Sequence, residues 1–250
     1  MAAPKQPIVH DAWDVYVQDT SNGPVFISFD VEAARQDLTG TLPHCARVLI
    51  PVREPNENGG PVEPESTRLY DLEDELCGFL EKEAVVCRLV ARLTHGGTRE
   101  LVFQVDDWEQ FRPPVDFWMS RVADYDIDVS EHEGWEFFDS CIRPTEEIWL
   151  DLANNKVVDG LIESGSDPDK DHELEFVFIG EPAGLQLTFS KLLARGYTPA
   201  GALDFAAGEI VMVKLMPLDR QAIFDEALAH RQLAEECGVE YSGWGAAVVK

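Results

Sequence analysis

Asp167, Asp169 and Asp171 stand at the D-x-D-x-D spacing that opens an EF-hand loop, where alternate carboxylates wrap a calcium ion. Such a loop needs glycine at its sixth position and a bidentate glutamate at its twelfth, and this chain has His172 and Phe178 there. The aspartates are therefore expected to form a solvated turn that feeds a strand. A second acidic set, Asp126, Asp128, Glu131, His132 and Glu133, offers oxygen and imidazole ligands for a divalent ion, or a carboxylate pair for proton transfer. Strand alternation would place Asp126 and Asp128 on one face and leave Glu131 to Glu133 in the following loop, which reads as an acidic rim.

The other reactive residue types lack the spacings their chemistry requires. The histidines (His10, His44, His95, His132, His172 and His230) form neither H-x3-H nor H-E-x-x-H, and His230 on an apolar helix face reads as a core residue. No serine sits in G-x-S-x-G, and no glycine run has P-loop or G-x-G-x-x-G spacing. Cys237 lies at the C-terminal end of a predicted helix, where the dipole disfavours a thiolate nucleophile. The five cysteines, Cys45, Cys77, Cys87, Cys141 and Cys237, are odd in number, widely spaced and free of C-x-x-C, as expected of a reduced cytosolic protein. The sequence thus assigns no catalytic residue, no cofactor and no metal site, and the chain reads as a non-enzyme.

Charge narrows the partners. With 47 acidic and 20 basic residues the formal net charge is −27. That field repels the phosphate backbone and disfavours direct nucleic-acid binding, whereas it would speed encounter with a basic protein segment. A surface made acidic for solubility alone is the other reading. Met1 to Lys5 is followed by no apolar signal core, and no run approaches the ~18 apolar residues of a membrane span, so a cytoplasmic protein without membrane contact is expected.

At 45% apolar content, 250 residues suffice for two ordinary domains, set here at residues 1–150 and 151–250. In the first, Trp13 to Gln18 and Val25 to Phe29 flank a dense turn signal and read as a hairpin. A strand at Arg47 to Val52 follows, then an amphipathic helix over Ser66 to Glu83 with Leu69, Leu72, Leu76, Phe79 and Leu80 on one face. Val85 to Leu93 and Leu101 to Val105 alternate around the turn His95-Gly96-Gly97-Thr98. A second helix starts at Pro113 or Pro114, Tyr125 to Val129 is a further strand, and Gly134 to Phe138 is a short helical closure.

The second half repeats that order. Asn154 or Asn155 caps a helix whose Val157, Val158, Leu161 and Ile162 share one side and which Gly165 ends. Leu174 to Ile179 suits a central strand covered on both faces or nearly so. A helix runs from Pro182 to a stop at Gly196, Leu203 to Ala206 and Ile210 to Met216 form a hairpin, and Asp219 caps the last helix before Gly238 stops it. Val239 to Tyr241 is the final strand. Right-handed β-α-β crossovers then give an α+β fold of two ferredoxin-like (β-α-β-β-α-β) sandwiches, the first with an extra N-terminal β-hairpin that could extend its sheet. The helix capped at Asn154 could cover the second sheet's other face.

Two stretches stand out as candidate interaction residues: Gly165, Ser166, Asp167 and Asp169 at the turn, and Tyr241, Gly243, Trp244 and Gly245 near the end. Two glycines around a tryptophan fix a large aromatic in place, so Trp244 either plugs the core edge or anchors a partner. Leu161 to Asp169, Leu193-Ala194-Arg195-Gly196-Tyr197 and Val239 to Gly245 resemble the regulator of ribonuclease E activity B family over roughly Asn154 to Lys250. Met1 to Pro144 is similar to an uncharacterised domain family found upstream of such regulators, through Gly60 to Glu65, Thr94 to Glu100 and Trp135 to Pro144.

The resemblance implies a bacterial cytoplasmic protein of ferredoxin-like fold that carries out no reaction and restrains RNA turnover by binding the scaffold region of ribonuclease E. Another protein with a basic segment is the alternative partner. A different class of function is a small-ligand sensor, in which duplicated ferredoxin-like units bind a metabolite between them. A metal hydrolase around His132 is a third.

Overall fold

A computed structural model describes residues 12–36 and 41–250. The chain divides into two compact units, Met1–Arg143 and Pro144–Lys250. Both are α+β.

In the first unit β1 (Trp13–Thr20) and β2 (Gly23–Asp30) form a hairpin that turns at Gly23, whose φ of +105° lies where an L side chain is strained. Asp30 then caps the short α1 (Val31–Arg35), its carboxylate accepting from the Glu32 and Ala33 N–H groups. After β3 (His44–Pro51), α2 (Glu65–Lys82) leads to β4 (Cys87–His95) and β5 (Thr98–Val105). Next, α3 (Trp108–Arg121) leads to β6 (Asp128–Glu133), and α4 (Glu136–Cys141) closes the unit. The six-stranded sheet has the order β1-β2-β4-β5-β3-β6, with every pair antiparallel. The hairpin extends the sheet because β2 pairs with β4. Strand alternation sends Ala46, Val48, Ile50, Leu101 and Phe103 towards Leu69, Leu72 and Leu76 of α2 and Phe111 and Val115 of α3. That makes one dry layer between sheet and helices.

Two boundaries differ from the sequence reading. Asp107, not a proline, starts α3: its carboxylate accepts from the Glu109 N–H, and Pro113 and Pro114 lie inside the helix. The strand predicted over Tyr125 to Val129 is instead β6, beginning at Asp128, with Tyr125 and Ile127 buried ahead of it. Pairing with β3 draws Glu131 to Glu133 into the ladder, where tertiary hydrogen bonds outweigh their low strand propensity.

The second unit begins with α5 (Glu146–Glu163), followed by β7 (His172–Ile179), α6 (Pro182–Ala194), the two-residue β8 (Thr198–Pro199), β9 (Glu209–Met216), α7 (Arg220–Cys237) and β10 (Glu240–Ala246). Its sheet has the order β10-β7-β9-β8, again antiparallel throughout. Asp219 does cap α7, accepting from the Ala222 N–H at 2.8 Å, and Gly238 ends it in the left-handed region.

Thr145, not Asn154, caps α5, and Asn154 is buried in mid-helix. Nor does α5 cover the free sheet face: it packs beside α7, where Arg220 of α7 donates to Asn155 Oδ1 at 3.0 Å. Phe205 and Ala206, expected to end a strand over Leu203 to Ala206, belong to a 3-10 turn (Phe205–Ala207), and the strand lies earlier, at β8. Although β7 is central in the sheet, it is covered on one face only. Leu174, Phe176 and Phe178 are buried, while Glu173, Glu175 and Ile179 are exposed.

Candidate functional site

At the end of α5, Gly165 adopts φ +96° and reverses the chain. The Ser166 N–H donates to the Leu161 carbonyl, and the buried Ser166 Oγ accepts from the Val249 N–H at 3.3 Å. Asp167 donates its own N–H to the Val249 carbonyl at 2.8 Å, and its carboxylate accepts from the Asp169 N–H at 3.2 Å. The Pro168 carbonyl accepts from Leu218. This turn is a clasp on the residues after β10, and the Asp167 carboxylate is spent on the turn and on Lys170, 3.5 Å away.

In β10 the ladder with β7 runs Tyr241↔Phe178 and then Gly243↔Val177 and Trp244↔Phe176, so Ser242 is an extra residue. Tyr241 and Trp244 are three apart and in a regular strand would face opposite sides. The bulge at Ser242, with Gly243 at φ +111°, restores parity and brings both rings to the helix side of the sheet. There the Trp244 Nε1–H donates to Asn154 Oδ1 at 2.9 Å, and the Tyr241 ring lies 5.4 Å from both Phe178 and His230.

Between α5 and β10 lies an open groove of about 560 Å³. Trp149, Leu150, Ala153 and Val157 of α5 form one wall, Tyr241 to Trp244 the other, and Arg231 of α7 also lines the groove, donating to the Glu146 carbonyl at 3.2 Å. Behind it His230 is boxed by Phe176, Phe178, Tyr197 and Tyr241, and burial lowers its pKa to about 4, so the imidazole is neutral at neutral pH. Burial, and then the nearby Glu226 charge, hold the Tyr241 hydroxyl protonated. For Glu226 itself burial acts upward, but hydrogen bonds from Lys214 and Tyr197 prevail and lower its pKa. The groove therefore presents neutral aromatic and aliphatic walls, with the Arg231–Glu146 ion pair among its lining residues. Such a surface suits stacking and apolar contact.

Of the sequence candidates, Tyr241, Gly243 and Trp244 line this groove, and Gly165, Ser166 and Asp167 form the clasp at the other end of α5. Asp169 is exposed within the turn, and Gly245 lies opposite Glu175 on the free sheet face. The groove also uses Trp149 and Arg231, which the sequence reading passed over. Trp149, Ala153 and Val157 do form a helical stripe, hidden because a cap at Asn154 starts the helix nine residues after the cap at Thr145.

In the first unit, the acidic set around His132 does not converge. Glu131 pairs with His44, 3.0 Å away, whereas His132 lies opposite Cys45 and near Arg47 on the other sheet face. Neighbouring strand residues point apart and cannot share an ion. Among the described residues, no group of three or more His, Cys, Asp or Glu side chains could hold a metal ion. That second face carries Arg47, paired in bidentate fashion with the buried Glu100 and stacked over Phe137 at 4.0 Å. All five cysteines are free thiols, and burial pushes Cys45, Cys77 and Cys87 up to about 12. No described helix is long and apolar enough to cross a membrane.

These features describe an α+β protein of two antiparallel sheets, each backed by helices, the second unit carrying an open groove lined in part by aromatic side chains. The chain belongs to the family of unknown function DUF695, whose model matches residues 11–141. Over residues 151–246 it matches the model of Regulator of ribonuclease activity B, so the two families follow one another in the order expected from the sequence. No curated protein matches the chain. A crystal structure of an unknown protein from Galdieria sulphuraria is 11% identical, with 82% of this chain and 99% of that chain covered, at a TM-score of 0.22. At that score it carries no argument.

Proposed function

We propose that this chain is a non-enzymatic regulator that acts by binding another protein, through the unit that matches Regulator of ribonuclease activity B. In this reading each of the two compact units is a domain and a ferredoxin-like sandwich, and the protein works in the cytoplasm on ribonuclease E or on another protein with a basic segment. Strand orders support the fold assignment: β4-β5-β3-β6 and β10-β7-β9-β8 are each what two interlocked β-α-β crossovers leave.

The observation that carries the proposal is the groove between α5 and β10 with Trp149 and Trp244 on facing walls, since tryptophans in partly enclosed pockets dominate protein interfaces. Titrating the purified protein into a ribonuclease E cleavage assay tests it. Cleavage should fall saturably, and Trp149→Ala should weaken the effect by about tenfold or more. Unchanged cleavage at saturating protein, with no complex by sedimentation, refutes ribonuclease E as the target.

The groove's volume also lies within the range of small-molecule sites, which favours ligand sensing as a second reading. A thermal-shift screen with a metabolite panel distinguishes the two, because a ligand at 100 times its dissociation constant adds about 2.7 kcal/mol.

A further inference from the structure

The helix-free face of the second sheet bears a pattern unlike the rest of the surface. Antiparallel pairing sets Glu173 opposite Leu215, Glu175 opposite Val213, Val177 opposite Val211 and Ile179 opposite Glu209, so these eight residues share one face. Their alternates Leu174, Phe176, Phe178 and Met212 are buried under the helices. Lys214, the one cation of these strands, also turns inward, to Glu226. Leu215 is 63% exposed and Ile179 39%, and Val177, Val211 and Val213 are only partly covered. On β10, Glu240 joins the face opposite Ile179, while Gly243 and Gly245 leave that side without side chains. The result is an aliphatic band bordered by Glu173, Glu175, Glu209 and Glu240, with no Lys, Arg or His among the positions these strands turn outward.

We propose that this face is a docking surface for a basic amphipathic helix of a partner protein. Charge selects the occupant. A second copy of this chain would set four glutamates against four more within a molecule already at −27, and nucleic acid or an anionic membrane would meet the same repulsion. A helix with an aliphatic stripe flanked by Lys and Arg satisfies both parts of the face: the stripe covers the valines and Leu215, and the cations meet the border carboxylates. The width agrees, because two strands about 4.8 Å apart underlie one helix about 10 Å across. The inference rests on the proposed reading that the second unit acts through protein contact, but it names a surface separate from the α5–β10 groove.

The test uses the full chain and a fluorescent synthetic helix of about 18 residues with leucines at i, i+3 and i+4 spacing and lysines elsewhere. Its control carries the same leucines with glutamates for lysines. By anisotropy, the basic peptide should bind, the acidic one should not, and affinity should fall at least about tenfold both in V213N/L215N and in the charge-reversed E173K/E175K. Both pairs lie on the exposed face, so folding is checked by thermal melting, and the charge pair carries the test if the other fails to fold. Equal affinity across wild type and variants overturns the proposal, because the peptide then sits on general negative charge. A wild-type dimer that L215N dissociates overturns it too, by making a second copy the occupant. Peptide binding is read without ribonuclease, so loss of inhibition in the cleavage assay and loss of peptide binding here are separate failures.

Discussion

Acidification should destabilise the second unit through one side chain, His230. Its ring is 1% exposed, stacked 4.5 Å from Phe176 and enclosed by Phe178, Tyr197 and Tyr241. The charged groups around it are Glu226 one turn earlier on α7, Lys214 on β9 and Arg195 at the end of α6. Burial is the largest influence and outweighs the Glu226 carboxylate, taking the pKa from 6.5 in the unfolded chain to about 4. Between those values the unfolded chain binds a proton that the folded unit refuses. The stability contribution is therefore complete above pH 6.5 and is lost progressively as pH falls to about 4. Each pH unit in that window is worth about 1.4 kcal/mol, so the total loss is about 3 kcal/mol.

Other carboxylates titrate nearby, Glu226 included, so the informative quantity is the difference between wild type and His230→Leu. Urea unfolding at half-unit steps from about pH 7 to about pH 4, followed by tryptophan fluorescence, gives both curves. Wild-type stability minus that of the variant should fall by about 3 kcal/mol as pH drops through that window. A gap independent of pH refutes the argument, since the imidazole would then titrate alike in both states.

Three further perturbations follow from named contacts. Gly243→Ala forces a Cβ onto φ +111° at the bulge and should cost about 1–2 kcal/mol, with a red shift in tryptophan emission if Trp244 leaves its site. Asn154→Ala leaves the half-buried Trp244 Nε1–H without its acceptor and should lower stability by about 1–3 kcal/mol in thermal melts, whereas Gly160→Ala, on an exposed helix position with open space, should stabilise α5 slightly. In the first unit Arg47→Ala strands the Glu100 carboxylate, whose side chain is 2% exposed, and should cost about 3 kcal/mol by urea unfolding; no change would mean the carboxylate finds water instead.

Elements with a local signal were legible in the sequence. The stripe Leu69, Leu72, Leu76 and Leu80 of α2, the cap Asp219 and stop Gly238 of α7, and the turn at Gly96 and Gly97 each rest on chemistry within a few residues. Local signals mislead where a distant partner outbids local preference. Asn154 looked like a cap because its amide competes for nearby backbone groups, yet in the folded chain that amide meets Trp244, ninety positions away. Glu131 to Glu133 looked like loop, but the edge of β3 offers them a ladder. β8 is too short for any period to announce it.

Composition and period survive without a fold, and they set the acidic field, the absence of familiar catalytic spacings and the two-part succession of strands and helices. Tertiary structure alone decided that α5 lies beside α7 and leaves one sheet face bare, and that a single extra residue at Ser242 turns Tyr241 and Trp244 to the same side. Which face a side chain occupies depends on register, and register is fixed by the strand across the ladder rather than by the residue's own neighbours.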